Sequence, residues 1–381
     1  MDFTKLSEFQ NWMSDSWRIP GSTCVAYVNG EKVYEHSAGY ADVEKGEKMK
    51  GDELMFMYSI TKVVTTLCAL QLLEKGMFHL NDTLDYYMPE FSDMKVRKTD
   101  ENGNEIIVPA EKKLLVRDLF QMTCGYDYNL ETEQIKARMS EPGKISTMEM
   151  ARALAETPLL FEPGDKWCYG LGHDILAAFV EKLTGQRFAD YVKENVFEPV
   201  GMKDSYFHLP EEELEKRMAQ QYVFDDATVS YKPIGKGNWA VFGDEYDSGG
   251  AGVISTVSDI ALLAKVIAGG GVTDSGKRII SKASIDLWRT NCLDDKQMFH
   301  YCWDALKGYG YGLGVRTHID RAKSGSLSSI GEFGWTGAAG GFLIIDPDRN
   351  VALYYAHHMQ NNQEYFTNPR LRNLFYSCLE Y

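Results

Sequence analysis

Residues 57–64 read Met57-Tyr58-Ser59-Ile60-Thr61-Lys62-Val63-Val64. A serine three positions before a lysine, at the start of an apolar run, sets a hydroxyl and an amine on one helical face. The hydroxyl also falls at the positive end of the helix dipole, where an emerging negative charge is favoured. That arrangement lets a serine be acylated without a histidine base. The spacing alone says little, because Ser92-Asp93-Met94-Lys95 repeats it. Context separates the two copies. After Ser59, the apolar positions Val63, Val64, Leu67, Leu70 and Leu73 predict a helix over 59–75, stopped by Gly76. Ser92 opens a polar stretch, 92–116, whose Asp100-Glu101-Asn102-Gly103-Asn104 reads as the tip of an exposed hairpin loop. A lysine there has no apolar wall to discharge it, so Ser92 is read as surface.

Outward from this helix, Phe3, Leu6, Phe9, Trp12 and Met13 predict an amphipathic helix over 3–17. The runs 23–28 and 32–36, joined by Asn29-Gly30, predict a β-hairpin. The middle of the chain, 116–240, reads as mostly helical, with helices over 117–122, 147–156, 172–184 and 188–196. A further helix is expected over 257–268, then strands over 311–317, 332–335, 341–346 and 351–357, and a last helix after Asn368-Pro369. Strands at both ends and helices between them predict an α+β fold. Its mostly antiparallel sheet, flanked by helices, comes from 1–58 and 245–381. A mainly helical domain, 59–244, is inserted, with the active site at the interface.

The chain has 381 residues, enough for one large or two interlocked domains, with 44% hydrophobic and 25% charged residues. A net charge of −15 argues against nucleic acid as a partner. No apolar run approaches the ~18 residues of a membrane span. The start, Met1-Asp2-Phe3-Thr4-Lys5-Leu6, has neither a basic nor an apolar leader region, and the seven cysteines form no Cys-x-x-Cys pair. These features predict reduced thiols and a cytoplasmic location. No His-Glu-x-x-His or Cys/His cluster occurs, so no metal is expected and His173, His357 and His358 are read as structural. A G-x-S-x-G elbow is absent, which argues against an α/β-hydrolase. The run 308–314 does not spell G-x-G-x-x-G and is read as tight strand packing. No cofactor is expected.

Two further pieces complete a constellation with Ser59 and Lys62. One is Tyr169-Gly170-Leu171-Gly172-His173-Asp174. The other is Phe333-Gly334-Trp335-Thr336-Gly337-Ala338-Ala339-Gly340, just before a strand. With these, the chain resembles the serine β-lactamase and penicillin-binding-protein superfamily, and within it the class C-like branch and the family VIII carboxylesterases. The order of flanking pieces agrees, among them Val116-Arg117-Asp118-Leu119, Phe197-Glu198-Pro199-Val200-Gly201-Met202 and Gly249-Gly250-Ala251-Gly252. The resemblance implies Ser59 as nucleophile, Lys62 and Tyr169 as the groups that move its proton, and the N–H groups of Ser59 and Ala338 as the oxyanion hole. Lys62 serves only if burial and neighbouring positive charge hold its pKa down. Tyr169 is the implied base for the deacylating water.

Two departures carry the substrate reading. Trp335 stands where β-lactamases have the lysine of Lys-Thr-Gly, and Leu171 stands where they have the asparagine of Tyr-x-Asn. Both polar handles for a penicillin or a D-Ala-D-Ala peptide are thus lost. Trp335, Thr336, Gly337, Ala338 and Leu171 are the expected substrate-binding residues, and the glycines allow close approach to the strand. A small-molecule ester or amide is the expected partner, with a carboxylesterase or acyl hydrolase as the leading activity. A β-lactamase or D-amino-acid peptidase, and a non-catalytic binding or scaffold protein on the same fold, remain the alternatives. The sequence leaves the oligomeric state open.

Overall fold

Alternate residues of each central strand face different cores, which is what a strand buried on both sides requires. In Gly21–Val28, Cys24 and Ala26 join one apolar cluster and Val25 the other. In Val351–Ala356, Leu353 and Tyr355 join the first, and Ala352 and Tyr354 the second. The computed structural model describes residues 1–16 and 18–379. These two strands pair antiparallel from Thr23↔Ala356 to Val28↔Val351, so the first and last thirds of the chain meet at the sheet centre. The whole sheet has eight strands. Their order is Tyr309–Tyr311, Arg316–His318, Phe333–Gly334, Phe342–Asp346, Val351–Ala356, Gly21–Val28, Glu31–Asp42 and Glu47–Lys48, and every pairing is antiparallel. The helices Thr4–Asp15 and Glu364–Ser377 cover one face through Leu6, Met13, Leu371 and Phe375. The helix Val257–Ala268 covers the other.

Helix Thr61–Glu74 is buried at every position from Thr61 to Leu72, as expected of a helix that is apolar nearly all round. The helix Gly172–Thr184 packs against it, and Val116–Gln121 and Thr147–Glu156 pack on that second helix in turn. The predicted mostly antiparallel sheet flanked by helices is thus the observed architecture.

Some local expectations change. The predicted helix over 3–17 forms at Thr4–Asp15, and Trp17 lies outside the described residues. The single strand expected over 311–317 is two short strands, because Gly312 donates to the Val315 carbonyl and Gly314 turns the chain at φ +76°. The last helix starts at Glu364 and carries Pro369 inside it, instead of beginning after it. The middle segment also holds a hairpin, Gln221–Asp225 with Ser230–Ile234, whose first strand runs parallel to Met359–Gln360. Ser92 is exposed, as read, and the exposed Lys95 opens the strand Lys95–Thr99.

Candidate active site

Ser59 sits in a single 3-10 turn, Tyr58–Ile60, that runs directly into the helix Thr61–Glu74. The residue before it, Tyr58, adopts φ +45°, a left-handed conformation that costs a non-glycine residue of order 1 kcal/mol. Its ring is fixed at both ends. The hydroxyl donates to Gln221 Oε1 at 2.6 Å and accepts from Gln360 Nε2 at 3.1 Å, and the ring stacks on Trp239. The turn is strapped down by Met57 N–H on the Val253 carbonyl and Val253 N–H on Thr61 Oγ1.

Lys62 is fully buried one helical turn on. Its nitrogen has three neighbours, as many as an ammonium has protons: Tyr128 Oη at 2.8 Å, the Gly250 carbonyl at 2.9 Å and Ser59 Oγ at 3.3 Å. It also lies 4.7 Å from the centre of the Tyr169 ring and 4.9 Å from that of Tyr128. Burial lowers its pKa from 10.5 to about 7, against the opposing pull of Asp174. The sequence reading also asked for a neighbouring positive charge. The depression arises from desolvation alone, and the nearby charge works the other way.

The Tyr169 phenol is hydrogen-bonded to the Ser59 side chain and accepts the indole N–H of Trp335 at 2.9 Å. Burial drives its pKa up, and these two hydrogen bonds act in the opposite sense. Trp335 is 2% exposed and packs on Tyr169 with ring centres 5.4 Å apart. Its indole occupies the site as a donor to the phenol, in addition to walling a cavity. Thr336 is half-buried, lines the same cavity and bonds the Glu364 carboxyl. Gly337 lies against the turn that carries Ser59: a Cβ there would stand 2.6 Å from the Met57 carbonyl. That close approach is to protein backbone, not only to substrate. Asn362 Nδ2 reaches the carbonyls of Gly337 and Ala338 at 3.0 and 3.3 Å, which orients the Ala338 peptide. Leu171 is 2% exposed, packs in the core at the start of helix Gly172–Thr184, and does not line the cavity that Trp335 walls.

Sequence reasoning missed three contributors. Tyr128 belongs to no recognised motif, yet it is a direct partner of Lys62. Gly250 supplies a carbonyl to the same amine. Asp174 Oδ1 accepts from Tyr246 Oη, Ser248 Oγ and Gly250 N–H, and so fixes the segment that carries that carbonyl. The Gly249-Gly250-Ala251-Gly252 run was the one signal pointing there. His358, as read, is structural, accepting from Phe56 N–H and sitting 2.9 Å from the Ala219 carbonyl.

The sequence matches the Beta-lactamase family over residues 9–376. Among curated proteins it is 28% identical to Protein Rv1367c of Mycobacterium tuberculosis, over 90% of this chain and 86% of that one. It is 27% identical to Esterase EstB of Burkholderia gladioli, over 86% of this chain and 83% of that one. Among solved structures, EstCE1, a hydrolase with promiscuous acyltransferase activity, superposes with a TM-score of 0.79 at 22% identity, covering 98% of each chain. The family match spans nearly the whole sequence, and the fold agrees with it from the terminal helices to the central sheet. The chain belongs to the beta-lactamase family and is built as a serine hydrolase.

Proposed function

We propose that the protein forms an acyl-enzyme on Ser59 and acts on small carboxylic esters, by hydrolysis or by transfer of the acyl group. The observation that carries this reading is the fully buried Lys62 amine, 3.3 Å from Ser59 Oγ and held near neutrality. In the scheme, Lys62 takes the Ser59 proton while Oγ attacks the ester carbonyl carbon. The oxyanion binds the N–H groups of Ser59 and Ala338, each worth ~3 kcal/mol in the transition state. The departing alkoxide takes a proton from the Tyr169 phenol, which recovers one from the Lys62 ammonium. Water then attacks the acyl carbonyl, giving a proton to the Tyr169 oxygen as the phenol passes its own to Lys62, and Ser59 Oγ recovers that proton from the Lys62 ammonium as it leaves the carboxylic acid. Trp335 supports each step by donating to the phenol oxygen, most strongly when that oxygen carries negative charge.

The ester reading also rests on what Trp335 lacks, since its indole offers no cation of the kind a β-lactam or D-Ala-D-Ala substrate would meet. The same reading puts the site between a sheet part, 1–58 and 245–381, and a helical part, 59–244. The test is incubation with a fluorophosphonate and with short-chain p-nitrophenyl esters, followed by intact mass and rate. One adduct on Ser59 and loss of both signals in Ser59→Ala are expected. Labelling and turnover undiminished in Ser59→Ala would sink the proposal, and rapid turnover of a chromogenic cephalosporin would favour a β-lactamase instead.

A further inference from the structure

The connection between the strand Met359–Gln360 and the helix Glu364–Ser377 reaches both backbone segments that carry the oxyanion donors named above. At one end, Gln360 Nε2 donates to the Tyr58 hydroxyl and to Gln221 Oε1, each at 3.1 Å, and Tyr58 is the residue before Ser59. Two positions on, Asn362 Nδ2 donates to the Gly337 carbonyl at 3.0 Å and to the Ala338 carbonyl at 3.3 Å. The anchor from which Asn362 reaches is therefore tied to the Ser59 turn. It is also held locally. Met359 N–H donates to the Ala339 carbonyl at 3.1 Å, and Asn362 Oδ1 accepts from Glu364 N–H at 3.1 Å.

The Gly337 contact matters most, because the Gly337 carbonyl and the Ala338 N–H belong to one peptide group. In a planar trans peptide the two point in opposite directions, and no cis bond occurs among the described residues. Fixing the carbonyl on one side fixes the N–H on the other. Gly340 N–H also donates to the Gly337 carbonyl, at 2.9 Å, so both lone pairs of that oxygen are used. Hydrogen bonds on a carbonyl polarise its peptide and make the N–H a stronger donor. Among the described residues, Ala338 N–H itself donates to no protein acceptor. Gly337 packs on the Met57 carbonyl with no room for a side chain, which sets this peptide beside the turn that carries Ser59.

We propose that Asn362 is a positioning residue for the oxyanion hole, holding the Gly337 carbonyl so that the Ala338 N–H faces the oxygen of the tetrahedral intermediate. The inference rests on the acyl-enzyme reading, because such a hole serves only where an ester carbonyl becomes tetrahedral. The Asn362 amide acts through a backbone donor and leaves the substrate itself to Ser59, Lys62 and Tyr169.

The test uses the full chain and follows turnover of a p-nitrophenyl ester beside inhibition by an alkyl trifluoromethyl ketone. The hemiketal that this ketone forms with Ser59 places its oxygen in the hole. In Asn362→Ala, kcat and kcat/KM should fall together by about tenfold or more, a part of the roughly hundred- to thousandfold that outright loss of one donor costs. The Ki of the ketone should rise by a similar factor. Asn362→Asp keeps an acceptor for Glu364 N–H but offers no donor to Gly337 at neutral pH, and it should show the same pattern. Rates are taken per folded molecule, with the folded fraction read from urea unfolding. A parent-like kcat in either variant overturns the inference and leaves the acyl-enzyme reading standing. So does a lower kcat with ketone affinity unchanged, or a loss confined to KM. A parent that turns over no ester and takes no fluorophosphonate on Ser59 sinks the acyl-enzyme reading and this inference with it.

Discussion

Replacing Lys62 with methionine should stabilise the protein at neutral pH while abolishing acylation of Ser59. The amine is held at about 7 in the fold against an ordinary 10.5, and burial is the cause. The unfolded chain therefore binds this proton more tightly than the folded one. The resulting deficit in stability is fully present below pH 7 and is relieved as pH rises from 7 towards 10.5. At pH 7 it amounts to roughly 4 kcal/mol. Methionine removes that deficit but gives nothing to Tyr128 Oη and the Gly250 carbonyl, now at 2.8 and 2.9 Å from the amine. The stranded carbonyl costs ~1–3 kcal/mol, so the net gain at pH 7 is ~1–3 kcal/mol. The pH dependence is the sharper readout, because the lost hydrogen bonds do not titrate in this range. Urea unfolding at about pH 6.5 and about pH 9.5 should show the advantage of Lys62→Met shrinking by ~3 kcal/mol. A difference between the two proteins that stays constant over that interval would refute a neutral amine, and with it the activation of Ser59.

Trp335→Phe should lower kcat/KM for a p-nitrophenyl ester by roughly ten- to a hundredfold, as loss of one charge-assisted hydrogen bond predicts. Its pH–rate profile should move to higher pH, because the donor at 2.9 Å no longer favours the Tyr169 phenolate; an unchanged profile would assign the indole a packing role only. Gly250→Ala should depress both activity and stability, the latter by ~1–3 kcal/mol. Its new Cβ would stand 2.6 Å from both Asp174 Oδ2 and Tyr128 Oη, and unfolding with ester turnover checks it. Ser92→Ala should keep the parent rate and the parent fluorophosphonate stoichiometry, since Ser92 is exposed at the edge of a surface hairpin.

Much of this fold was legible because its helices carry their own start signals. Thr147–Glu156 and Val257–Ala268 begin where read, with the Ser146 and Thr256 side chains accepting from Glu149 and Asp259 N–H groups. Two of the misread segments show what local pattern omits. Tyr311 to Thr317 looks extended in sequence, but a turn over Gly312–Gly314 depends on the partner strands around it. Pro369 is a helix stop by propensity, yet burial of Leu371 and Phe375 against the sheet holds the helix together across it. At the site, the motifs bring Ser59, Lys62, Tyr169 and Trp335 into hydrogen-bonded or ring contact. Tyr128 escaped notice because a single loop phenol has no spacing to mark it. Leu171 was taken from motif position alone, and its side chain turns into the core.

Lys62 owes its lowered pKa to a seal made by the whole molecule, since its neighbours come from residues 59, 128, 169 and 250. Any loosening that lets water wet that nitrogen would return its proton at neutral pH. Gentle heat or dilute denaturant should therefore silence the molecule while most of its helices and strands persist. In such a design, dryness is what holds the amine's pKa down, and leakage would restore it before melting does.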